Sequence, residues 1–236
     1  MDLTGPQRFA RFAYPPNAHG YCGPDSSDDL LRLATVEPDE ELLRLATAFE
    51  GAFPYLELLA GANRRTDPLD PDVVEAYWIG NALLENVSTA DLGQSIDDRF
   101  RRRAGRRWGD LAKGVPTGCA NHSFHVLSVS PWVGLLRGGL IDEPLGIIDD
   151  CRISWGTVLS ADAQHLVVDR SPLVWSIDGL EYGPPAPTTV QSLVPCEIGD
   201  VVAIHWGWAC ETLRPRQVAW LRHVTNSQLS NQRRRL

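Results

Sequence analysis

Apolar residues recur at intervals of three and four along the first part of the chain, from about Asp28 to Leu140. This spacing is typical of amphipathic helices. It runs through "DDLLRLATVEPDEELLRLATAFEGAFPYLELLAGAN", "DPLDPDVVEAYWIGNALLENV", "TADLGQSIDDRFRRRAGRRW" and the more apolar "GCANHSFHVLSVSPWVGLLRGGL". We expect Pro38 to open a helix, Asp70 to cap the next, and Pro131 to interrupt the last. This part is therefore predicted to be mainly α-helical.

After Pro144 the period changes. Short runs rich in Val, Ile, Leu and Trp predict strands in "CRISWGTVLSA", "HLVVDRSPLVWSIDGLEYG" and "DVVAIHW". Asp178–Gly179 predicts a hairpin turn, and proline-rich Gly183–Thr189 a loop rather than a strand. Helical spacing returns in "RPRQVAWLRHVTNSQL". The sequence therefore predicts an α+β protein, with a helical domain over residues 1–145 and a small β-barrel plus C-terminal helix over residues 146–236.

Composition and charge narrow the functional classes. Of 236 residues, 43% are hydrophobic and 22% charged, which is typical of a globular protein. The formal net charge of -8 argues against non-specific nucleic-acid binding, which needs a basic face. The sequence contains neither a basic-then-apolar leader nor an apolar stretch long enough for a membrane span. We therefore expect a cytoplasmic protein that binds neither nucleic acid nor membrane.

Several cysteine and histidine residues are candidates for chemistry. Residues three apart on a helix are neighbours, so His122 could share a metal ion with Cys119 or with His125. The alternative is an apolar helix with two hydrogen-bonded histidines and a small buried cysteine. Cys22 lies in Tyr14–Asp25, which is rich in Pro, Gly and Asn and is predicted to be a structured loop rather than a helix. Its thiol could be exposed and reactive there, or incidental to a packed turn.

The second part of the chain carries an ordered set of residues that matches a known family. Cys151 precedes a Gly-x-Val, and a Gly-Asp pair, a strand ending in histidine, and a Gly-aromatic-Ala with an acidic residue follow in "GDVVAIHWGWACETL". These positions are Gly156, Val158, Gly199, Asp200, His205, Gly207, Trp208, Ala209 and Glu211. Over residues 149–230 the chain resembles the HypC/HupF chaperones of nickel–iron hydrogenase maturation, which are small OB-like β-barrels with a C-terminal helix. The family's cysteine follows the initiator methionine, whereas Cys151 is internal.

The resemblance implies a metallochaperone rather than an enzyme. In that family the cysteine and histidine, here Cys151 and His205, hold or pass an iron that carries cyanide and carbon monoxide. A thiolate and a neutral imidazole are suitable donors for such iron. We expect Cys151 at the start of the first barrel strand, where barrel closure would bring it to His205. The implied partners are the precursor of the hydrogenase large subunit or other maturation proteins.

A second hypothesis is a metal-dependent or thiol-dependent enzyme in the helical domain. It would use Cys22, Cys119, His122 and His125, and it requires an accessible thiol with a lowered pKa. A third is an interaction module in which the barrel is only a scaffold. The sequence contains no GxGxxG, P-loop or GxSxG motif, so nucleotide-dependent and serine-hydrolase functions have no support.

Overall fold

The computed structural model describes residues 3–35, 41–105, 108–162 and 165–233. Helices fill the first part of the chain, as the apolar periodicity predicted. They are α1 (Gly5–Ala18), α2 (Ser27–Thr35), α3 (Glu41–Thr47), α4 (Phe53–Ala62), α5 (Pro71–Trp78), α6 (Thr89–Ala104), α7 (Trp108–Ala112), α8 (His122–Phe124), α9 (Trp132–Arg137) and α10 (Asp142–Cys151), with 3-10 turns at Ala82–Asn86 and Val115–Thr117 and a π-helical turn at His125–Val129. Asp70 caps α5 as predicted, because its side chain accepts from the N–H of Asp72. Pro38 lies outside the described residues.

Helix α1 extends into a stretch that the sequence predicted to be a loop. It continues to Ala18, so the predicted loop Tyr14–Asp25 is wrong for its first five residues. Pro15 and Pro16 remain helical and buried, because α1 packs one face into the protein core. A proline has no N–H for the carbonyl four residues earlier, so Pro16 leaves the carbonyl of Phe12 without its helical donor.

The second part of the chain forms a barrel and a C-terminal helix. Its elements are β1 (Ser154–Ala161), β2 (His165–Arg170), β3 (Leu173–Ser176), β4 (Gly179–Tyr182), β5 (Ala186–Ser192), β6 (Val201–His205), β7 (Trp208–Thr212) and α11 (Pro215–Arg233). Five strands close a barrel in the order β1–β2–β5–β7–β6, and β3 and β4 form a separate hairpin. The α+β architecture of helical part, barrel and C-terminal helix is therefore confirmed.

Strand β5 overlaps the stretch Gly183–Thr189 that the sequence predicted to be a loop. It pairs antiparallel with β2, and Pro187 lies opposite Asp169. Its other neighbour, β7, pairs only with the last two residues of β5. Among the described strands, the proline end of β5 therefore has a neighbour on one side only, so the missing N–H of Pro187 breaks no ladder on the other side. The prediction of a loop is wrong from Ala186 onward.

The helical part and the barrel share one hydrophobic core. Phe9 of α1 and Leu56 of α4 belong to the same buried cluster as Ala203 of β6 and Leu221 of α11. Helix α10 runs across the predicted boundary between residues 145 and 146. The division into two domains stays a prediction, and the apolar core is continuous across it. Within the described ranges, no helix combines the length and apolarity that crossing a membrane requires.

A buried ion-pair network joins α1 to the barrel. The Arg8 guanidinium donates to both carboxylate oxygens of Glu211, at 2.8 and 2.9 Å, and lies 3.4 Å from Glu75. Gln217 of α11 donates to the same two carboxylates, at 2.9 Å each. Burial alone would lower the pKa of Arg8, but the contact with Glu211 raises it above its ordinary value. The acidic residue of the resemblance, Glu211, therefore has a structural partner in the helical part.

Candidate metal centre

Three side chains converge where the helical part meets the barrel. His122 opens α8, Cys151 ends α10 and His205 ends β6. One potential ligand atom from each lies within 4.8 Å of the other two. The Cys151 Sγ and His122 Nε2 atoms are 4.0 Å apart. The sequence-predicted pair of Cys151 and His205 is thus close in space, and His122 adds a third donor.

The imidazole of His205 is held in one tautomer. Its Nδ1 lies 2.7 Å from the carbonyl oxygen of Phe12, the oxygen that Pro16 leaves without a helical donor. A carbonyl can only accept, so Nδ1 carries the proton and Nε2 keeps its lone pair. His205 is 1% exposed, and its Nε2 makes no hydrogen bond to any residue that the structure describes. A buried, unpartnered nitrogen lone pair facing two other donors is the arrangement that a metal ion would satisfy.

Cys151 reaches this position from a helix rather than from a strand. The expectation that it begins the first barrel strand is wrong, because α10 continues to Cys151 and β1 starts at Ser154. Burial raises the pKa of its thiol, and the nearby Trp206 indole offsets part of that increase. Without a metal ion the thiol therefore stays protonated at neutral pH. A bound ion would favour the thiolate.

His122 is placed by the start of α8 and by two hydrogen bonds. The preceding residue, Asn121, caps the helix and also donates to the carbonyl of Ala76 at 2.8 Å. The Nε2 of His122 donates to the carbonyl of Cys151 at 2.8 Å, and its Nδ1 lies 3.3 Å from the Tyr77 hydroxyl. Burial lowers the pKa of His122 to about 4, so the ring is neutral. To bind a metal through Nε2, His122 must move its proton to Nδ1, where Tyr77 can accept the hydrogen bond.

The turn after His205 connects the barrel to α10. Trp206 has a φ of 49°, in the left-handed region that bulky residues rarely occupy. Its backbone N–H donates to the carbonyl of Asp150 at 2.9 Å, next to Cys151. Its indole lies 4.3 Å from the Tyr21 ring, centroid to centroid. The strained turn therefore holds His205 against the end of α10, and its Trp206 side chain forms part of the wall of the site.

Two of the predicted ligands, Cys119 and His125, lie outside the three-residue group. His125 opens the π-helical turn, and its Nδ1 is 3.4 Å from the hydroxyl of Tyr55. Its ring is 6.4 Å from that of His122. Cys119 precedes α8, and its sulfur lies 3.9 Å from the side-chain nitrogen of Gln228. Because α8 begins only at His122, Cys119 does not share a helix face with it, whereas His125 lies in the helical turn that follows.

The thiols required by the enzyme hypothesis do not have lowered pKa values. Burial raises the pKa of Cys119 to about 12. Cys22 follows α1 in an exposed stretch and lines the wall of a cavity, where partial burial of its thiol raises its pKa as well. Both thiols are therefore poor nucleophiles at neutral pH. This argues against a thiol-dependent enzyme centred on these residues.

A cavity of about 650 Å³ adjoins the three-residue group. His122 and Cys151 form part of its wall, together with Tyr21, Cys22 and Trp206. The remaining wall comes from α6, α7, the π-helical turn, α9, α10 and α11. The centre is thus closed by α1 on the His205 side and open to this cavity on the Cys151 side.

Sequence reasoning missed the residues that hold the candidate ligands in place. Tyr77 and the carbonyl of Phe12 fix the two histidines, and Trp206 pins the turn. The two consecutive prolines, Pro15 and Pro16, lie in a stretch that the sequence predicted to be a loop, so they did not indicate two unbonded helical carbonyls. No sequence pattern indicated that one of these carbonyls would meet a histidine 193 positions later.

The fold and the site define an α+β protein with a candidate Cys/His₂ metal centre between a helical part and a five-stranded barrel. The chain belongs to DUF6390, a family of unknown function whose model matches residues 1–236. No curated protein matches the chain. No solved structure matches it either. The resemblance to the HypC/HupF chaperones is therefore carried by the residues themselves and stays an expectation.

Proposed function

We propose that the protein holds a transition-metal ion through His122, Cys151 and His205 and acts as an accessory protein in nickel–iron hydrogenase maturation. In this role it binds or relays an iron–cyanide/carbonyl unit, or holds the immature large subunit. The observation that carries the proposal is the Nε2 atom of His205, which is buried beside the other two donors and has no hydrogen-bond partner in the described part of the chain. The activity is binding and delivery rather than turnover.

The donor set fits iron. One thiolate and two imidazoles are the ligands of borderline and soft transition metals, whereas magnesium or calcium would require oxygen ligands. Bound iron would carry its cyanide and carbonyl ligands at the coordination positions that the protein leaves free. Cys151 supplies the thiolate, and His205 supplies a lone pair that is already oriented. His122 supplies the third donor once its Nε2–H releases the carbonyl of Cys151.

The link to hydrogenase maturation rests on the order of residues in the second part of the chain. The resemblance includes a cysteine, the Gly-Asp pair, and a strand that ends in histidine. A five-stranded barrel followed by the helix α11 supports the proposal. The internal position of Cys151 is compatible with this role, because the helical part contributes His122 to the same centre. The proposed partners are the large-subunit precursor and other maturation proteins.

Infrared spectroscopy tests this function. The protein is purified without oxygen from a host that expresses the hydrogenase maturation machinery, because iron-bound cyanide and carbonyl absorb where protein does not. We expect bands in that window for the wild type. The control Cys196→Ala, which changes a barrel cysteine outside the centre, should keep them. Cys151→Ala and His205→Ala should each lose them. An empty window, while the HypC chaperone of the same cells is loaded, would contradict the proposal.

A further inference from the structure

The cavity beside the metal centre has the size and character of a small-molecule site. Its volume of about 650 Å³ lies within the range of ligand pockets, roughly 300–1,000 Å³. Most of its wall is apolar, and much of that surface comes from Phe100, Leu111, Val126, Leu127, Val133 and Ile147. An apolar body of a few carbon atoms would therefore be stabilised inside it.

Within the described residues, the centre opens toward this cavity. His205 is 1% exposed and is covered by α1, whereas Cys151 is half-buried and lies in the cavity wall. The side chain of His122 also lies in that wall. On an ion without cyanide or carbonyl ligands, three protein donors leave a coordination position free, as in metal sites that bind an external molecule. A fourth ligand would approach from the cavity.

The charges of the site favour a negative ligand. A divalent ion that carries no cyanide, bound by one thiolate and two neutral imidazoles, keeps a net charge of about +1. Among the cavity-lining residues that the structure describes there is no carboxylate, and the only formal charge is Arg137. A positive charge beside apolar walls is costly unless a partner compensates it. One negative charge on the incoming ligand would balance the centre.

We propose that the metal centre, when its ion carries no cyanide or carbonyl, binds a small organic monoanion, whose charged group coordinates the ion and whose apolar body occupies the cavity. The inference rests on the proposed metal centre and adds the class of molecule that this centre recognises. It makes the cavity a binding site in its own right, distinct from the three protein ligands.

The test uses the full-length protein loaded with cobalt(II), whose visible spectrum changes with its ligands. We titrate it with the straight-chain carboxylates from acetate to hexanoate. Because each added methylene enters an apolar cavity, we expect the affinity to rise roughly fourfold per methylene. Hexanamide, which has the same chain without the charge, should leave the spectrum unchanged.

Two glycine substitutions separate cavity binding from surface binding. Gly134 of α9 lines the cavity, and Gly134→Phe should reduce hexanoate affinity at least tenfold while cobalt uptake is unchanged. Gly146 of α10 is not part of the wall and has open space around it, so Gly146→Phe is the matched control. It should bind hexanoate as the wild type does.

Each other outcome overturns the inference. An affinity independent of chain length, or equal effects of the two glycine variants, would place the carboxylate outside the cavity. Equal binding to the metal-free protein would assign the anion to Arg137 rather than to the ion. Cobalt uptake with no response to any carboxylate would contradict this inference alone. Absence of cobalt uptake would contradict the proposed metal centre as well.

Discussion

At the scale of single residues, the metal centre depends on a hydrogen bond that is missing from helix α1. In a regular helix the carbonyl of Phe12 would accept from the N–H of residue 16, but that residue is Pro16. The carbonyl bonds Nδ1 of His205 instead, at 2.7 Å. The proline thereby fixes which nitrogen of the imidazole carries the proton. Nε2 is left as a buried lone pair facing Cys151 and His122.

Restoring the missing N–H should weaken metal binding. In Pro16→Ala the new N–H competes with His205 for the carbonyl of Phe12, so we expect cobalt(II) affinity to fall about tenfold, as for other changes to groups that orient a metal ligand. Pro15→Ala, which frees a donor only for Arg11, is the control and should bind cobalt as the wild type does. Equal affinities in both variants would contradict this role of the carbonyl.

Buried neutral histidines should make the metal-free protein sensitive to acid. Burial lowers the pKa of His122 to about 4 and that of His125 to about 3, with added repulsion from His122 for the latter. In the unfolded chain a histidine titrates near 6.5, so the unfolded state binds more protons below that pH. The free energy of unfolding is therefore not reduced by these histidines above about pH 6.5, and it decreases as the pH falls toward 4. His122 alone accounts for roughly 3 kcal/mol by pH 4.

Urea unfolding of the metal-free protein at several pH values measures this dependence. We expect the free energy of unfolding to fall steeply below about pH 6.5 and the fall to be shallower in His125→Gln. His223→Gln, on the exposed side of α11, should follow the wild-type curve. A wild-type stability that does not change between about pH 6.5 and 4 would show that these histidines are not buried neutral.

The sequence predicted part of this site. The resemblance paired Cys151 with His205, and their ligand atoms do lie close together. The helical spacing selected His122 but gave it Cys119 and His125 as companions. Spacing along a chain cannot show that α8 begins only at His122, nor that a carbonyl from α1 and the hydroxyl of Tyr77 orient the two rings.

At the scale of secondary-structure elements, Asp149 joins α10 to the strands. Its carboxylate accepts from Arg152 at 2.9 Å, from Arg170 at 2.6 Å and from the backbone N–H of Leu173 at 2.9 Å. Arg152 is 1% exposed. One carboxylate therefore compensates two enclosed guanidinium groups and fixes the end of α10, where Cys151 lies.

Removing this carboxylate should destabilise the protein strongly. In Asp149→Ala two largely buried arginines lose their anionic partner, so we expect a loss of about 3–5 kcal/mol in the free energy of unfolding. The exposed neighbour Asp150 is the control, and Asp150→Ala should cost less than about 1 kcal/mol. Chemical denaturation of both variants is the measurement. Similar stabilities would contradict the role of Asp149.

Helices and strands were predicted correctly where the local sequence and the tertiary contacts favour the same structure, and incorrectly where the two favour different structures. The helical periodicity predicted α5, α6 and α11, and the short runs rich in Val, Ile, Leu and Trp predicted β1, β2 and β6. Local composition failed at the end of α1 and in β5, because Pro15, Pro16 and Pro187 oppose the structures that tertiary contacts impose. In α1 the driving contact is burial in the core, and in β5 it is the ladder with β2.

At the scale of the whole molecule, the candidate centre requires both parts of the chain. His122 comes from the helical part, His205 from the barrel and Cys151 from the helix that crosses between them. The hydrophobic core and the Arg8–Glu211 ion pair also cross this junction. We therefore expect the two parts to fold as one unit.

Urea unfolding followed by circular dichroism and by tryptophan fluorescence tests this expectation. The two signals should give one coincident transition. Arg8→Met leaves Glu211 buried without its cation and should cost about 3–5 kcal/mol, whereas Arg65→Met removes an exposed ion pair and should cost less than about 1 kcal/mol. Two separate transitions would instead support independent domains divided near residue 145.

Anaerobic equilibrium dialysis against iron(II) and cobalt(II) tests the metal centre most directly, because it measures the number of ions bound per chain. The wild type should bind one ion per chain, as should His19→Ala and Cys196→Ala, whose side chains lie outside the centre. His122→Ala, Cys151→Ala and His205→Ala should each lose this ion while keeping the circular dichroism spectrum of the wild type. Absence of binding by the wild type, or full binding by all three variants, would contradict a metal centre at these residues.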